Sequence, residues 1–252
     1  MNKNNLRVFI AVTAVVLLAG VSARASEMDE RIVSSAQQSY VFKTFLKNDA
    51  IRVQSDEGVV TLRGTVADES QKSLAQETVA NLPGVKSVDN RLELVGERPA
   101  VNSDGWISIK VKTSLLFNRN VSGMKTQVFV KDRIVTLKGE AVNQAEKDLA
   151  GEYAKDVEGV KEVKNEMTIE KVPSEPKQTM GENIDDASIT AQIKMAFLTH
   201  HSTSAFKTGV ETSHGVVTLS GKAASSAAKD MATKVANDVQ GVKRVINTMT
   251  IE

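Results

Sequence analysis

The chain has 252 residues, with 32 Lys and Arg against 31 Asp and Glu, three His and no Cys. This length allows one large domain or two to three small ones, and 41% hydrophobic with 25% charged residues is typical of a globular protein. A net charge of +1 gives no general attraction for nucleic acid. The absence of Cys excludes disulfides, thiolate zinc sites and iron–sulfur clusters.

The first 25 residues have the pattern of a secretory signal peptide. Lys3 and Arg7 precede an apolar stretch from Val8 to Gly20, and small residues follow at Ala23 and Ala25, where a signal peptidase cleaves. A membrane anchor is the alternative, but it requires about 17 to 25 apolar residues. We therefore predict residues 1–25 to be removed on export. The removed segment contains three basic residues and no acidic one, so the net charge changes from +1 to −2.

The rest of the sequence repeats one pattern three times, over residues 29–95, 104–170 and 185–252. In each repeat an apolar run of the type Val-Val-Thr-Leu ends on a glycine, a second glycine follows twenty residues later, and an asparagine six residues after that. These positions are Gly64, Gly84 and Asn90, then Gly139, Gly159 and Asn165, then Gly221, Gly241 and Asn247. A unit of this length predicts tandem small domains rather than a solenoid.

Each repeat begins with a predicted helix followed by a β-hairpin. Apolar residues recur at i, i+4 and i+8 on one helix face: Ile32, Ala36 and Tyr40, then Ile107, Val111 and Leu115, then Ile189, Ile193 and Phe197. A tight turn then separates two short β-type runs, the second of which ends on the first conserved glycine. The turn glycine is replaced in the second repeat by Arg133, which is unfavourable if that backbone needs a positive φ.

A second helix and a last strand complete each repeat. Asp68, Asn143 and Ser225 are N-cap residues, and Glu146 predicts a capping box with Asn143. We expect the second glycine to stop this helix at its C′ position. The last strand alternates apolar residues on one face: Val88, Leu92 and Leu94, then Val163, Met167 and Ile169, then Val245, Met249 and Ile251. The predicted fold class is therefore α+β, with three tandem α-β-β-α-β domains, each with two helices on a three-stranded sheet.

Two linkers of different character separate the three predicted domains. Residues 96–103 form a short linker, whereas residues 171–184 carry Pro173 and Pro176 among polar residues and are typical of a solvated linker. From this difference we expect the first two domains to hold a fixed relation and the third to move.

The conserved asparagines and glycines have structural and functional interpretations. Asn90, Asn165 and Asn247 lie an even number of residues from the apolar residues of their strands, so they face the same side of the sheet. They should therefore point inward and bond backbone groups of the neighbouring turn. A ligand role is the alternative. Glycines twenty residues apart across a helix do not have the spacing of a phosphate-binding loop.

One face of the first helix of the second repeat differs from its counterparts. Its residues at i, i+4, i+7 and i+11, together with two nearby cations, are Trp106, Lys110, Thr113, Phe117, Lys112 and Arg119. The other repeats keep this face largely polar. Trp and Lys around an apolar helix face suit the boundary between water and lipid. Packing against a neighbouring domain, or an exposed face without a function, are the alternatives.

No residues form a convincing catalytic or metal-binding set. His200, His201 and His214 occur only in the third repeat, and a metal site needs convergent ligands with further hydrogen-bond support. Neither a G-x-S-x-G nor an H-E-x-x-H motif is present. We predict a non-enzymatic protein without a cofactor or a metal.

A signal peptide followed by three copies of G-V-V-T-L-x-G and G-V-x-x-V-x-N resembles the BON domain family. The resemblance covers nearly the whole chain after the signal peptide, and Arg133 is its main departure. It implies a periplasmic binding or scaffold protein of Gram-negative bacteria, linked to osmotic or envelope stress and contacting phospholipid membrane surfaces peripherally. A chaperone or adaptor for other envelope proteins is the alternative that it implies.

Overall fold

The computed structural model describes residues 27–170, 184–199 and 208–252. The predicted signal peptide, nearly all of the second linker, and the pair His200 and His201 lie outside these residues. The described chain forms three α-β-β-α-β domains with mixed sheets, which confirms the predicted α+β class.

The first domain shows the arrangement that all three domains share. Its elements are α1 (27–38), α2 (Tyr40–Thr44), β1 (Ala50–Asp56), β2 (Val59–Val66), α3 (Glu69–Ala80) and β3 (Ser87–Leu94). Strand β2 lies at the centre of the sheet, antiparallel to β1 and parallel to β3.

The second and third domains repeat this order with small differences in the sheet. The second contains α4 (Asp104–Leu116), a 3₁₀ turn (Gly123–Lys125), β4 (Gln127–Lys131), β5 (Ile134–Lys138), β6 (Glu140–Ala141), α5 (Gln144–Lys155), β7 (Glu162–Asn165) and β8 (Thr168–Ile169). The third contains α6 (Asp186–Thr199), β9 (Thr208–Ser213), β10 (Val216–Ala223), α7 (Ser226–Asn237), β11 (Arg244–Asn247) and β12 (Thr250–Ile251). In the second domain the central strand is divided into β5 and β6, whereas β10 is continuous.

One face of each sheet is covered by helices and the other is open to solvent. In β2, Val60 and Leu62 are fully buried while their neighbours Val59 and Arg63 are exposed. This alternation follows from the period of two in a strand. The predicted caps of the second helices are also present, since Asp68, Asn143 and Ser225 each accept a backbone N–H bond three residues on.

Three predictions about individual core positions are wrong. The first helix is interrupted at Ser39, whose hydroxyl caps α2, so Val41 enters the core in place of Tyr40. On the last strands, Ile169 and Ile251 are 43% and 54% exposed, because these short strands extend beyond the helical cover.

The first recurring glycine ends its strand as predicted in the second domain alone, where β5 stops directly before Gly139. In the other two domains the strand continues through it, and the second glycines do not end their helices. Gly64 lies within β2 at φ 126°, and a Cβ there would be 1.8 Å from the carbonyl oxygen of Ala50. Helix α3 ends at Ala80 with Asn81 as its C-cap, so Gly84 lies in the turn that follows, with φ 89°. These glycines are needed for close backbone approach and left-handed geometry.

Helix α6 of the third domain is buried on almost its entire circumference. Its face with Ile189, Ile193 and Phe197 forms the core of its own domain. The opposite face, with Ala187, Ala191 and Met195, joins the core of the first domain beside α3. Of the fourteen residues of α6, Leu198 is the one classed as exposed. The third domain is therefore packed against the other two, contrary to the expectation from its longer linker.

Replacing Ala191 by Glu tests this packing. A carboxylate in the dry contact between α6 and the first domain should weaken it by about 3 kcal/mol or more, since a buried charge without a partner is strongly unfavourable. Calorimetry of the chain without residues 1–25 should show unfolding at a lower temperature, with the main transition divided into separate ones.

The matched control is Leu198→Glu, which places the same charge on the exposed side of α6 and should leave the transition within about 2 °C. An unchanged transition in Ala191→Glu would show that this helix face does not pack on the first domain.

Candidate functional surface

The face of α4 that carries Trp106 points toward the other two domains. Thr113 and Phe117 are only 5% and 3% exposed. The ring of Phe117 packs edge-on against Phe45 of the first domain, with the ring centroids 5.2 Å apart. These two side chains therefore lie inside the molecule, where they cannot contact a lipid in this arrangement.

Lys110 joins the second domain to the third. Its Nζ donates a hydrogen bond of 2.8 Å to the carbonyl oxygen of Leu198, in the last turn of α6, and lies 4.6 Å from the ring centroid of Trp106. Carbonyls at a helix C-terminus lack helical partners and carry partial negative charge, so an ammonium is favourable there. Burial lowers the pKa of Lys110, and the carboxylate of Glu158 opposes that shift.

Arg119 forms a second connection between the same two domains. Its Nη2 donates to the carbonyl oxygens of Val239 (2.8 Å) and Val242 (2.9 Å), just beyond the C-terminus of α7. The hydroxyl of Tyr153 donates to the carboxylate of Asp238 in the same place. Burial raises the pKa of Tyr153, and the bond to Asp238 raises it further.

The six predicted surface residues thus divide into two groups. Lys110, Thr113, Phe117 and Arg119 lie at contacts between domains. Lys112 is exposed, beside a cleft of about 290 Å³ between the first two domains, and Trp106 is partly buried against the core of the second domain. Packing on a neighbouring domain is the alternative that this geometry fits.

An aspartate recurs at the start of the first helix in every domain, and the sequence motifs did not identify it as a site residue. Each carboxylate accepts bonds from the two backbone N–H groups at the tip of the hairpin turn, at 2.7 to 2.9 Å. The pairs are Asp29 with Glu57 and Gly58, Asp104 with Asp132 and Arg133, and Asp186 with His214 and Gly215. An acid at a fixed distance before each turn was the available signal.

This bond explains how the turns keep left-handed backbone angles. All six turn residues have φ between 50° and 81°, including Arg133 at 66°. Arg133 is therefore accommodated in the strained conformation, and its Nε also donates to the carbonyl oxygen of Gly159 at 2.8 Å. The hydroxyl of Ser55 and the turn amides lower the pKa of Asp29.

The conserved asparagines connect the last strand to the second helix. Asn165 donates through Nδ2 to the carbonyl oxygen of Lys147 on α5, and its Oδ1 accepts from the amide of Met167. Asn90 and Asn247 make the equivalent bonds to Lys72 and Lys229. The expected partners were backbone groups of the neighbouring turn, but the helix backbone supplies the acceptor instead.

The described residues hold no group of three or more His, Cys, Asp or Glu that could bind a metal ion. His214 lies at a hairpin turn, with its Nδ1 3.1 Å from the hydroxyl of Ser213. Among the helices of the described ranges, none is long and apolar enough to cross a membrane.

The sequence profile of the BON domain matches residues 28–96, 103–171 and 185–252, so the chain belongs to the BON domain family. It is similar to the osmotically-inducible protein Y of Escherichia coli K12, with 30% identity over 190 residues that cover 75% of this chain and 92% of that protein.

Two further relatives share part of this chain. The 21 kDa hemolysin of Actinobacillus pleuropneumoniae is 35% identical over 149 residues, which cover 58% of this chain and 74% of that protein. The outer membrane lipoprotein DolP of Haemophilus influenzae is 35% identical over 112 residues, or 44% of this chain and 55% of that protein.

Replacing Asp104 by Asn tests the bond between helix and turn. The amide keeps one acceptor oxygen and sets an N–H donor against the second turn amide, so the second domain should lose about 1 to 3 kcal/mol of stability. Urea unfolding followed by circular dichroism measures this loss.

Asp132→Asn is the matched control, because asparagine tolerates the left-handed backbone at the turn and the Asp104 bond is retained. Equal stability of the two variants would show that the carboxylate of Asp104 does not hold the turn.

Proposed function

We propose that this protein is a non-enzymatic binding and scaffold protein of the cell envelope that contacts anionic phospholipid surfaces from the periplasm. Membership of the BON family, and similarity to proteins named for osmotic induction and for the outer membrane, support a role in osmotic or envelope stress. The observation that carries the proposal is the open face of each sheet.

The three domains pack through their helices, and the sheets keep one face open to solvent. Such a face offers a broad surface rather than a cleft that could enclose a small substrate. Binding to an extended surface therefore fits this architecture better than catalysis does, since enzymes and small-ligand sites use concave pockets.

The open face of the second domain has the chemistry of a membrane boundary. Phe129 on β4 is 53% exposed, and the Nζ of Lys138 lies 5.8 Å from its ring centroid. Lys131 is exposed on the same strand, and Lys164 is exposed on β7, the strand on the far side of β5. Aromatic rings and long basic side chains can place their apolar parts against lipid while the charges reach the headgroups.

A second candidate function is a chaperone or adaptor for envelope proteins. The observation that favours it is the edge strand β1, which has β2 as its one partner within the described sheet. A groove of about 800 Å³ runs between α1 and this strand, lined by Val33, Val53 and Gln54 among others. An unpaired strand edge beside a groove is a site at which an extended peptide can add to a sheet.

Cosedimentation of the mature chain with vesicles tests the proposal. We expect at least roughly tenfold stronger binding to vesicles rich in anionic phospholipid than to zwitterionic ones, and weaker binding at high salt because exposed charges are screened. Zwitterionic vesicles serve as the control.

Failure to bind the anionic vesicles would contradict the proposal. Suppression of the aggregation of an unfolded client in the same preparation would then support the chaperone function.

A further inference from the structure

Three arginines lie side by side on the open face of the first sheet. In the strand register, Arg52 of β1 pairs with Arg63 of β2, and Arg63 pairs with Arg91 of β3. All three side chains are exposed. With strands about 4.8 Å apart, the row places three guanidinium groups across a width of about 10 Å.

This row is electrostatically unfavourable for the isolated domain. Like charges at directly opposed positions of neighbouring strands destabilise a sheet. Asp89 forms an ion pair with Arg91, at 2.6 Å between Nη2 and Oδ2. No carboxylate of the described residues lies within ion-pair distance of Arg52 or Arg63.

The neighbouring rows of the same face carry two carboxylates, Asp89 and Glu93. On one side are Gln54, Thr61 and Asp89, and on the other are Ala50, Thr65 and Glu93. Asp89 is already paired with Arg91, and Glu93 is opposite the neutral Thr65. Two guanidinium groups therefore remain available to an external anion.

The other two domains show that the fold does not require these arginines. The equivalent row in the second domain contains Gln127, Lys138 and Glu166, in which Lys138 and Glu166 form an ion pair at 3.4 Å. In the third domain the row is uncharged, with Gly209, Ser220 and Thr248. Among the three domains, a row of three like charges occurs in the first alone.

We propose that this arginine row docks the first domain on a bilayer that bears anionic phospholipid headgroups. The inference rests on the proposed function and adds the surface that makes the contact. The planar guanidinium binds phosphate oxygens through two parallel hydrogen bonds. An open sheet face cannot surround a small free anion, whereas a bilayer presents many phosphates in one plane across the width of the row. Charge complementarity thus favours the bilayer as the occupant.

The test compares variants of the whole mature chain in binding to anionic vesicles. Each available basic residue near an anionic leaflet strengthens binding about fivefold. Because Asp89 already neutralises Arg91, R52Q/R63Q/R91Q should weaken binding roughly 25-fold and R63Q alone roughly fivefold. The matched control K43Q/K47Q/K155Q removes the same charge from three exposed lysines outside the sheets and should stay within about threefold of the parent. The thermal midpoint of the triple arginine variant should be equal or higher, because the substitutions remove repulsion.

Three outcomes would overturn the inference. Parent-like vesicle binding by the triple arginine variant would do so while leaving the proposed function intact. Release of the parent chain from vesicles by millimolar glycerol phosphate would assign the row to free phosphate esters instead. A parent chain that fails to bind anionic vesicles at all would overturn the proposed function together with the inference.

Discussion

The burial of α6 on two opposite faces is the interaction on which the whole arrangement depends. A domain of this size buries only about 60% of the surface of its unfolded chain, so it gains much from contact with neighbours. Ile193 and Phe197 supply the core of the third domain, while Ala191 and Met195 complete the core of the first. One helix thus serves two cores, and three small domains share a larger apolar interior.

Polar bonds fix the orientation of that helix. Asp185 accepts from the amide of Ser188 at the start of α6 and also from the amide of Tyr40 in the first domain, both at 2.8 Å. At the other end, Lys110 of the second domain bonds the carbonyl of Leu198. The two ends of α6 are therefore held by different domains, and the helical sides of the domains are used for assembly. The open side of the sheets takes no part in this assembly and stays accessible to partners.

Comparison of the repeats predicted what each domain does by itself. The order of elements, the caps at Asp68 and Asn143, and the inward-facing asparagines follow from local patterns that recur in all copies. A comparison of the repeats gives no information about contacts between domains. It therefore could not distinguish burial of Phe117 against a neighbouring domain from contact of the same residue with lipid.

Two other features needed the three-dimensional structure for a similar reason. The interruption at Ser39 occurs in one copy, where it directs Tyr40 toward Gln240 of the third domain. The arginine row is formed by strand register, because Arg52, Arg63 and Arg91 lie far apart in the sequence. Small-angle X-ray scattering of the chain without residues 1–25 tests the central claim that α6 unites the domains. A radius of gyration of about 17 to 20 Å would agree with a single compact particle, whereas about 25 Å or more, expected for three separate domains in a line, would contradict it.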